Sequence, residues 1–407
     1  MPSRSIAGAG SMPEARFGAL HAHRFLLRVG LALSNVFAWI FVFQYFFIYS
    51  LTVSSALIAT LLLYVISQVA TIVLTPFAAA HLGSGVKRSI IYGALLAGAA
   101  YIYLGATLGG SFNGEPTGWG IAVFALLFGA YRAVYFVPYQ LKAVTKDGDR
   151  SRMPMFYEII IALMPAFAGA TLVTLSFAPL RILFGSAAFM LLSILPLIPL
   201  KDVFEGFSWG YFRTFRELIA RRHKKILASS VLHGVQGASL FLIWPIAVFL
   251  IVGSSYQILG MVVSITLFLV MFLRILYRKL ARKMRLEDSV PTNVIFAASG
   301  WFFRIFAGTP VGFIVADTFS HITAPKRSHA FDVFTNEQAA DHGSYIDEYT
   351  ALKEIGLALG RIITCAIFGL LLIYFSVSIA FTAALILAAI ASAISVTVDR
   401  SAAPSLL

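Results

Sequence analysis

Residues 201–226 read KDVFEGFSWGYFRTFRELIARRHKKI, a polar segment that is rich in basic and aromatic residues. Long apolar blocks surround it, six on its N-terminal side and six on its C-terminal side. A helix that crosses a bilayer needs about 20 mostly apolar residues, and each block is close to that length. The starts of the first three blocks recur about 200 residues later, in the second set. The segment therefore divides the chain into two halves of six predicted helices each.

The predicted spans end at glycines, prolines and clusters of charge. The ninth and tenth spans are the least regular, because Arg304, Gly308 and Pro310 interrupt one apolar stretch. We predict two helices there, since a single fused helix is longer than a hydrocarbon layer of about 30 Å requires. The twelve predicted spans are 25–48, 55–79, 88–108, 118–140, 155–176, 180–200, 227–252, 256–277, 290–306, 309–325, 352–374 and 379–397.

The composition of the 407 residues excludes a soluble globular protein. Apolar residues make up 59% of the chain and charged residues only 12%, and the mean hydropathy is +0.86. The single cysteine, Cys365, lies in an apolar block, so it predicts neither a disulfide nor a thiolate cluster. The first apolar run is too long for a cleavable signal peptide. The fold class is therefore an all-α, multi-pass membrane protein.

The net charge of +13 is explained by membrane topology rather than by nucleic-acid binding. Lys and Arg concentrate on one side of the predicted membrane, which is the cytoplasmic side in most membrane proteins. Both termini are predicted to lie on that side. The basic side comprises 1–24, 80–87, 141–154, 201–226, 278–289, 326–351 and 398–407. The opposite loops, which contain no Lys or Arg, are 49–54, 109–117, 177–179, 253–255, 307–308 and 375–378.

Five segments follow from these limits. A cytoplasmic tail, 1–24, precedes an N-terminal six-helix bundle, 25–200. A basic amphipathic linker, 201–226, is predicted to lie on the inner membrane surface. A C-terminal six-helix bundle, 227–397, and a short tail, 398–407, complete the chain. A faint internal echo supports the duplication, because EIIIAL at 158–163 resembles EIGLAL at 354–359.

This plan resembles the major facilitator superfamily (MFS) of secondary transporters, as a divergent member. Residues 80–88, AHLGSGVKR, keep the glycine and the basic pair, Lys87 and Arg88, of the family's motif after the second helix, but they contain no acid. Residues 278–283, RKLARK, keep only the bases of the equivalent loop. The resemblance implies alternating access, a central cavity lined by helices one, four, seven and ten, and gating contacts at Lys87 and Arg88.

The fourth predicted helix carries a face of tyrosines with an arginine beside it. Tyr131, Tyr135 and Tyr139 recur every four residues, and Arg132 adjoins them. A guanidinium group suits a carboxylate or a phosphate, so Arg132 is a candidate for the binding of an anionic substrate. The alternative is a structural ion pair with an acid such as Asp317 or Glu158.

Further candidates for substrate binding lie on the seventh and first helices. His233 and Trp244 share one face of the seventh helix, and Gln236 lies to one side of that face. Asn35 and Trp39 share a face of the first helix. Such faces combine a polar contact with an aromatic platform for an organic ligand. Packing within the helix bundle is the alternative for each of these residues.

Asp317 and His321, one turn apart on the tenth helix, are the candidates for proton coupling. A membrane-embedded acid and a histidine are groups that can exchange a proton during a transport cycle. A static ion pair is the alternative for Asp317. A metal site would need distant partners such as His329, Asp332, Asp341 and His342, whose spacing fits no compact metal motif, so no metal is predicted.

Helices five and eleven hold contacts between the halves in the family that this chain resembles. Glu158 on one, and Glu354 and Arg361 on the other, are therefore candidates for gating salt bridges. Gly356 and Gly360 form a small-xxx-small pair that predicts close helix packing.

The sequence thus predicts a secondary transporter in the plasma (inner) membrane that moves a small organic solute, with protons as the coupling ion. Export is favoured over import, because the candidate residues are aromatic and no dense array of amide side chains is present. No cofactor is predicted, and a monomer suffices. Neither a phosphate-binding loop nor a Gly-x-Ser-x-Gly motif occurs. The alternatives are a lipid or lysolipid translocator, with Arg132 on the headgroup phosphate, and a metal-dependent membrane enzyme that uses Asp317, His321 and His329.

Overall fold

The computed structural model describes residues 14–110, 118–144, 155–174, 178–202, 204, 206–283, 290–323 and 346–402. The described chain is predominantly helical. The first six long helices are α1 (Glu14–Ser50), α2 (Val53–His81), α3 (Val86–Leu108), α4 (Gly118–Val144), α5 (Met155–Thr174) and α6 (Ala178–Leu192).

A short helix, α7 (Tyr211–Ile219), occupies the predicted linker, and the second set of long helices follows it. The first of these is continuous but irregular. Its two α-helical parts, α8 and α9, are joined by a π-helical turn, Ser239–Ile243. The second set comprises α8 (Lys224–Ala238), α9 (Trp244–Ile251), α10 (Tyr256–Lys283), α11 (Val290–Ile305), α12 (Pro310–Thr323), α13 (Ile346–Tyr374) and α14 (Val377–Ala402).

Within the described residues, ten helices are long and apolar enough to cross a membrane. They correspond to the predicted spans one to eight, eleven and twelve, with α8 and α9 forming the seventh. The ninth and tenth predicted spans are the shorter helices α11 and α12, of 16 and 14 residues. They are separated at residues 306–309, as the sequence predicts. The chain is a multi-pass membrane protein, and the count of twelve spans depends on these two short helices.

The predicted start of the first helix and the predicted end of the last helix are wrong. The predicted tail 1–24 is helical from Glu14 onward, and His23 within it is fully buried. At the other terminus the last helix does not end at 397 but continues to Ala402, which brings Asp399 into the bundle. Both ends carry polar residues, which is why an apolar pattern alone ends the helices too soon.

Helix packing in the first set recurs in the second. The contacts of α3 with α4 and α6 have counterparts in those of α11 with α12 and α14. The contacts of α1 with α5 and α6 have counterparts in those of α8 with α13 and α14. Because lipid tails are as apolar as leucine, such packing is stabilised by close contact and hydrogen bonds rather than by exclusion of water.

The two sets meet through two equivalent helix pairs, α2 with α13 and α5 with α10. At the second pair, the Ala166 amide of α5 donates a hydrogen bond to Ser264 Oγ of α10, at 2.8 Å. Near the start of α10, the Tyr256 hydroxyl donates to Gln44 Oε1 of α1, and its ring packs against Phe249 at 5.1 Å. These contacts place the fourth and eleventh long helices, α4 and α13, side by side at the junction.

Within the second set, α8 and α13 approach closely at small residues. A β-carbon on Gly360 would overlap the Val231 carbonyl oxygen, and one on Gly356 would approach the Ser230 side chain to 2.6 Å. The predicted role of Gly356 and Gly360 in helix packing therefore agrees with the structure.

Candidate functional site

Two arginines from the two sets of helices lie in the interior of the bundle. Arg361 of α13 is 5% exposed, and its Nη1 donates a hydrogen bond to Gln68 Oε1 of α2 at 3.1 Å. Gly237 of α8 faces it, so the guanidinium group meets no side chain there. Arg132 of α4 is one of its electrostatic neighbours. Across the described chain, neither arginine forms an ion pair within 4.0 Å, and the buried Nε atoms of both have no hydrogen-bond partner.

Two phenol groups beside these arginines are also buried without a hydrogen-bond partner in the described residues. They belong to Tyr64 of α2 and Tyr131 of α4. Tyr64 interacts electrostatically with both arginines. Buried donors are normally paired, because an unpaired one costs free energy. The cluster of Tyr64, Tyr131, Arg132 and Arg361, which we call the arginine pair site, therefore suits a ligand that is rich in hydrogen-bond acceptors.

An aromatic wall adjoins the arginine pair site. The predicted Trp39 of α1 packs edge-on against Tyr64, with ring centroids 5.0 Å apart, and it also contacts Phe124 and Phe128. The Arg132 guanidinium lies 5.6 Å from the centroid of the Phe136 ring. Asn35, the other candidate on α1, is half-buried.

Tyr135, the second of the three predicted tyrosines, has a structural partner instead. Its hydroxyl lies 3.1 Å from His23 Nε2, and His23 Nδ1 lies 2.7 Å from the Ser193 carbonyl oxygen. This network ties α1 to α4 and to the end of α6. His23 was missed because it falls in the segment predicted to be a tail.

Asp317 forms the ion pair that was the alternative to proton coupling, but with a partner that the sequence did not indicate. Arg304 Nε of α11 donates to Asp317 Oδ1 at 2.7 Å, and Trp244 Nε1 donates to Oδ2 at 3.0 Å. The Arg304 side chain is 1% exposed and lies over the Trp301 ring at 4.4 Å. The interpretation in which Arg132 pairs with Asp317 is wrong. His321, one turn further along α12, is exposed.

His233 and Gln236 of α8 both contact α14. His233 Nε2 lies 3.2 Å from Asp399 Oδ2, and Ser229 Oγ donates to Oδ1 at 2.5 Å. Gln236 Nε2 donates to Ser395 Oγ at 3.3 Å. The buried Asp399 was missed, since it lies beyond the predicted end of the last helix.

Residues 80–88 contain no acid, but the carboxylate of Asp202 contacts their basic pair. The carboxylate of Asp202, in the segment that follows α6, accepts a hydrogen bond from the Lys87 amide at 2.7 Å and lies 3.8 Å from Arg88 Nε. It therefore caps the first turn of α3. The Lys87 ammonium group donates to the Leu200 carbonyl oxygen at 2.7 Å. Both predicted gating bases thus contact the segment that follows α6.

The remaining gating candidates differ in environment. Glu158 is exposed in the first turn of α5. Glu354 is buried on α13 and is an electrostatic neighbour of Arg361. Neither observation establishes a gating role, which stays a prediction.

From Ser208 onward the linker contacts both sets of helices: α7 contacts α13, and its Tyr211 ring packs on Phe77 of α2 with ring centroids 4.6 Å apart. The buried Glu348 of α13 accepts hydrogen bonds from the Ser208 amide at 2.8 Å and the Ser208 hydroxyl at 2.6 Å. Glu217 of α7 pairs with Arg222, and this hydrogen-bonded partner holds the pKa of the Glu217 carboxyl below its ordinary value. The linker is not one helix, because α7 covers nine residues and the last residues of the predicted linker, 224–226, belong to α8.

No group of three His, Cys, Asp or Glu that could hold a metal occurs in the part of the chain that the structure describes. His329, Asp332, Asp341 and His342 lie outside the described residues.

No protein-family model matches the chain, and no curated protein matches it either. Solved structures match it over nearly its whole length. A bacterial homologue of the iron transporter ferroportin, in an inward-facing state, has a TM-score of 0.61 at 13% identity, covering 97% of this chain and 100% of that one. A mutant of the nucleoside transporter NupG has a TM-score of 0.62 at 11% identity, covering 94% and 99%. A proton-dependent oligopeptide transporter structure has a TM-score of 0.56 at 11% identity, covering 96% and 99%.

These matches confirm the predicted resemblance: the chain has an MFS-like fold. All three matched proteins are transporters, and at 11–13% identity the likeness to them is one of fold.

Proposed function

We propose that the chain is a secondary transporter that moves a small organic solute across the plasma membrane by alternating access, coupled to protons and directed out of the cell. One observation carries this proposal. The two sets of helices meet through α2 with α13 and α5 with α10, and an exchange of the two sets converts one pair into the other. Two related bundles that share such a junction can rock about a site between them. A single chain contains both bundles, so the proposed unit is a monomer.

The contacts at Tyr256 support a state that is closed at one end. The hydroxyl and ring of Tyr256 join α10 to Gln44 and Phe41 of α1, next to the loop at 253–255. At the opposite end of α5, Phe156 and Glu158 are exposed. With the basic loops on the cytoplasmic side, the proposed state is open toward the cytoplasm, and Glu158, Glu354, Lys87 and Arg88 remain the proposed gating residues.

Asp317 is the proposed proton-binding residue. Its carboxylate receives hydrogen bonds from α11 through Arg304 and from α9 through Trp244. Protonation would cancel the charge that holds Arg304, so the packing of three helices depends on the charge of one carboxyl group. The exposed His321 is the proposed relay to solvent.

The test is transport by purified protein in lipid vesicles. Solutes are first chosen by thermal-shift screening of the detergent-purified protein at acidic and at neutral pH. We expect a proton gradient to drive accumulation of a stabilising solute, and a protonophore to abolish it. Asp317→Asn should lose gradient-driven accumulation but keep solute exchange at equal pH. The double variant Arg304→Gln/Asp317→Asn, which removes both charges, serves if the single variant does not fold.

Normal gradient-driven accumulation by folded Asp317→Asn would refute the role of Asp317. Absence of transport for every stabilising solute, with and without a gradient, would refute the proposed function itself.

A further inference from the structure

We propose that the arginine pair site binds the transported solute through an anionic group, so that the substrate is an organic anion with an aromatic or apolar body. This inference rests on the proposed transport function and specifies the class of its substrate. The residues that carry it are Arg132, Arg361, Tyr64 and Tyr131.

The charges at the site are not balanced. The electrostatic neighbours of Arg361 are Arg132, Tyr64, Glu354 and Cys365. Only Glu354 among them is an acid, and it lies two helical turns from Arg361 along α13. Neither guanidinium group forms an ion pair within 4.0 Å in the described residues, and an unpaired charge in the membrane interior is costly. A bound anion would pair with both.

Several hydrogen-bond donors at the site have no acceptor among the described residues. The Nε atoms of Arg132 and Arg361 and the hydroxyls of Tyr64 and Tyr131 are buried without a partner in the described residues. Gln68 uses its carbonyl oxygen on Arg361, and its amide nitrogen donates to Ser67 Oγ at 2.9 Å. A carboxylate or a phosphate monoester offers several acceptor oxygens on one group, and it matches the fork of a guanidinium.

Two other pairs of intramembrane charges are formed within the protein, which distinguishes this site from them. Arg304 is paired with Asp317 at 2.7 Å, and His233 with Asp399 at 3.2 Å. The arginine pair site is therefore a buried cluster whose two arginines form no ion pair within 4.0 Å in the described residues.

The aromatic wall defines the rest of the ligand. Trp39, Phe128 and Phe136 adjoin Tyr64, Tyr131 and Arg132. Ring faces and edges of this kind bind an aromatic or apolar body, while the arginines bind its charged end.

The position of the two arginines connects binding with transport. Arg132 belongs to the first set of helices and Arg361 to the second, and α4 contacts α13 directly. An anion held by both would join the two bundles, so its arrival and departure would change the contact between them.

The experiment measures the thermal stability and ligand affinity of the detergent-purified full chain with four probes. Benzoate and phenyl phosphate are soluble aromatic anions, benzyl alcohol is the neutral counterpart, and lysophosphatidate presents a phosphate as a lipid headgroup. We expect benzoate or phenyl phosphate to stabilise the wild type and benzyl alcohol to have no effect. Arg132→Gln and Arg361→Gln should each weaken binding about tenfold or more, the loss of a charge-assisted hydrogen bond.

The control is Arg181→Gln, which removes a positive charge from an exposed position on α6 and should bind the anions as the wild type does. Tyr131→Phe, with Tyr374→Phe at an exposed position as its control, tests the site without a change of charge. Arg361→Lys keeps the charge but loses the fork, so it serves if Arg361→Gln does not fold, and it should also weaken binding.

The outcomes below distinguish the proposal of an anion site from the proposal of a transport function. Stabilisation by lysophosphatidate alone would assign the anionic group to a lipid. Equal stabilisation by benzyl alcohol and benzoate, or unchanged affinity in both arginine variants, would overturn the anion site and leave the transport proposal standing. Tight anion binding that depends on both arginines, without any transport in vesicles, would overturn the transport proposal and leave the site standing.

Discussion

Arg304 and Asp317 show how strongly a single pairing determines the environment of a membrane-embedded charge. The pair is hydrogen-bonded at 2.7 Å, and Trp244 binds the second carboxylate oxygen. Removal of one partner leaves the other charge unpaired, which costs about 3–5 kcal/mol when the pair is buried.

We therefore expect Arg304→Gln to lower the unfolding temperature of the purified protein strongly, and Arg304→Gln/Asp317→Asn to recover part of the loss. Thermal unfolding in detergent measures both. Arg181→Gln, at an exposed site, should unfold as the wild type does. A double variant that is less stable than Arg304→Gln would contradict the assignment of the cost to an unpaired charge.

Gly85 is a second residue whose chemistry depends on a distant partner. Its φ is +128°, and a β-carbon there would overlap the Asp202 carboxylate. Gly85→Ala should therefore reduce stability through backbone strain and through displacement of the α3 cap, by about 1–3 kcal/mol in total.

Gly253→Ala is the matched control, because Gly253 also has a positive φ, +72°, but has nothing within 4 Å of a β-carbon. Denaturant titration of the two variants gives the difference between their free energies of unfolding. Equal destabilisation would show that contact with Asp202 contributes nothing.

At the scale of elements, the packing of α8 on α13 depends on the absence of side chains. Gly360→Ala would force its β-carbon against the Val231 carbonyl oxygen, so the helices must separate. Overpacking of this kind typically costs about 1–3 kcal/mol. Gly369→Ala on the same helix meets only the Leu61 side chain at 3.8 Å and should be tolerated. Unfolding temperatures that fall equally in both variants would argue against the close contact at Gly360.

The linker helix α7 makes a pH-dependent contribution through Glu217. Its pKa is lowered from 4.5, chiefly by the hydrogen bond from Arg222. A carboxyl group with a lowered pKa in the folded state stabilises the protein above the unfolded value and loses this contribution as the pH falls through the folded value.

His223 Nε2 lies 3.5 Å from Glu217 Oε2 and gains charge in the same range of pH, so the comparison is made with His223→Gln in both proteins. The difference in stability between His223→Gln and His223→Gln/Glu217→Gln should then be constant from neutral pH down to about 4.5 and should shrink below it. Thermal unfolding across this range measures the difference. A difference that grows on acidification would reverse the sign and contradict the pairing with Arg222.

The apolar pattern predicted the long helices well because hydropathy and length suffice to define a membrane span. It placed Arg132 and Asp317 within helices for the same reason. It failed at the chain ends, where His23 and Asp399 are polar residues inside helices. It also left α11 and α12 uncertain, since Arg304 and Pro310 make that stretch too polar and too interrupted for a simple pattern.

Partners were not predictable from local sequence. Gln68 and Arg361 are 293 positions apart, and His233 and Asp399 are 166 apart. Helical spacing reports only which residues share a face, so it found Trp244 and Asp317 separately and could not join them. That Arg132 forms no ion pair in the described residues follows only from the positions of the acids around it.

At the scale of the whole molecule, the junction between the two sets of helices should hold without a covalent link. Ser208 binds Glu348 of the second set, whereas Asp202 binds α3 in the first set. A chain divided after residue 205 keeps each of these two hydrogen bonds within one fragment, while the packing of the Tyr211 ring on Phe77 joins the fragments. We expect fragments 1–205 and 206–407, expressed together, to purify as a complex from detergent extracts.

Gly260→Leu should weaken this association, because its side chain would meet the Pro165 carbonyl oxygen across the α5–α10 contact. Gly185→Leu, with nothing within 4 Å of its β-carbon, should not. Fragments that never purify together, although each is present in the membrane, would contradict the proposed arrangement of two bundles.

The π-helical turn at Ser239–Ile243 is a place where the seventh helix can lose one residue while α8 and α9 keep the same faces toward their neighbours. The Trp244 amide bonds to the Ser239 carbonyl oxygen, five residues back, so this turn holds one residue more than an α-helical turn. Deletion of Leu240 would convert the turn to ordinary α-helix while α8 and α9 keep their faces. The histidine that meets Asp399 and the indole that meets Asp317 would then stay in place, whereas the same deletion in α3 would rotate half of the helix by about 100°. The seventh helix can therefore lose one residue at this turn without a change in the side chains that α8 and α9 direct at their neighbours.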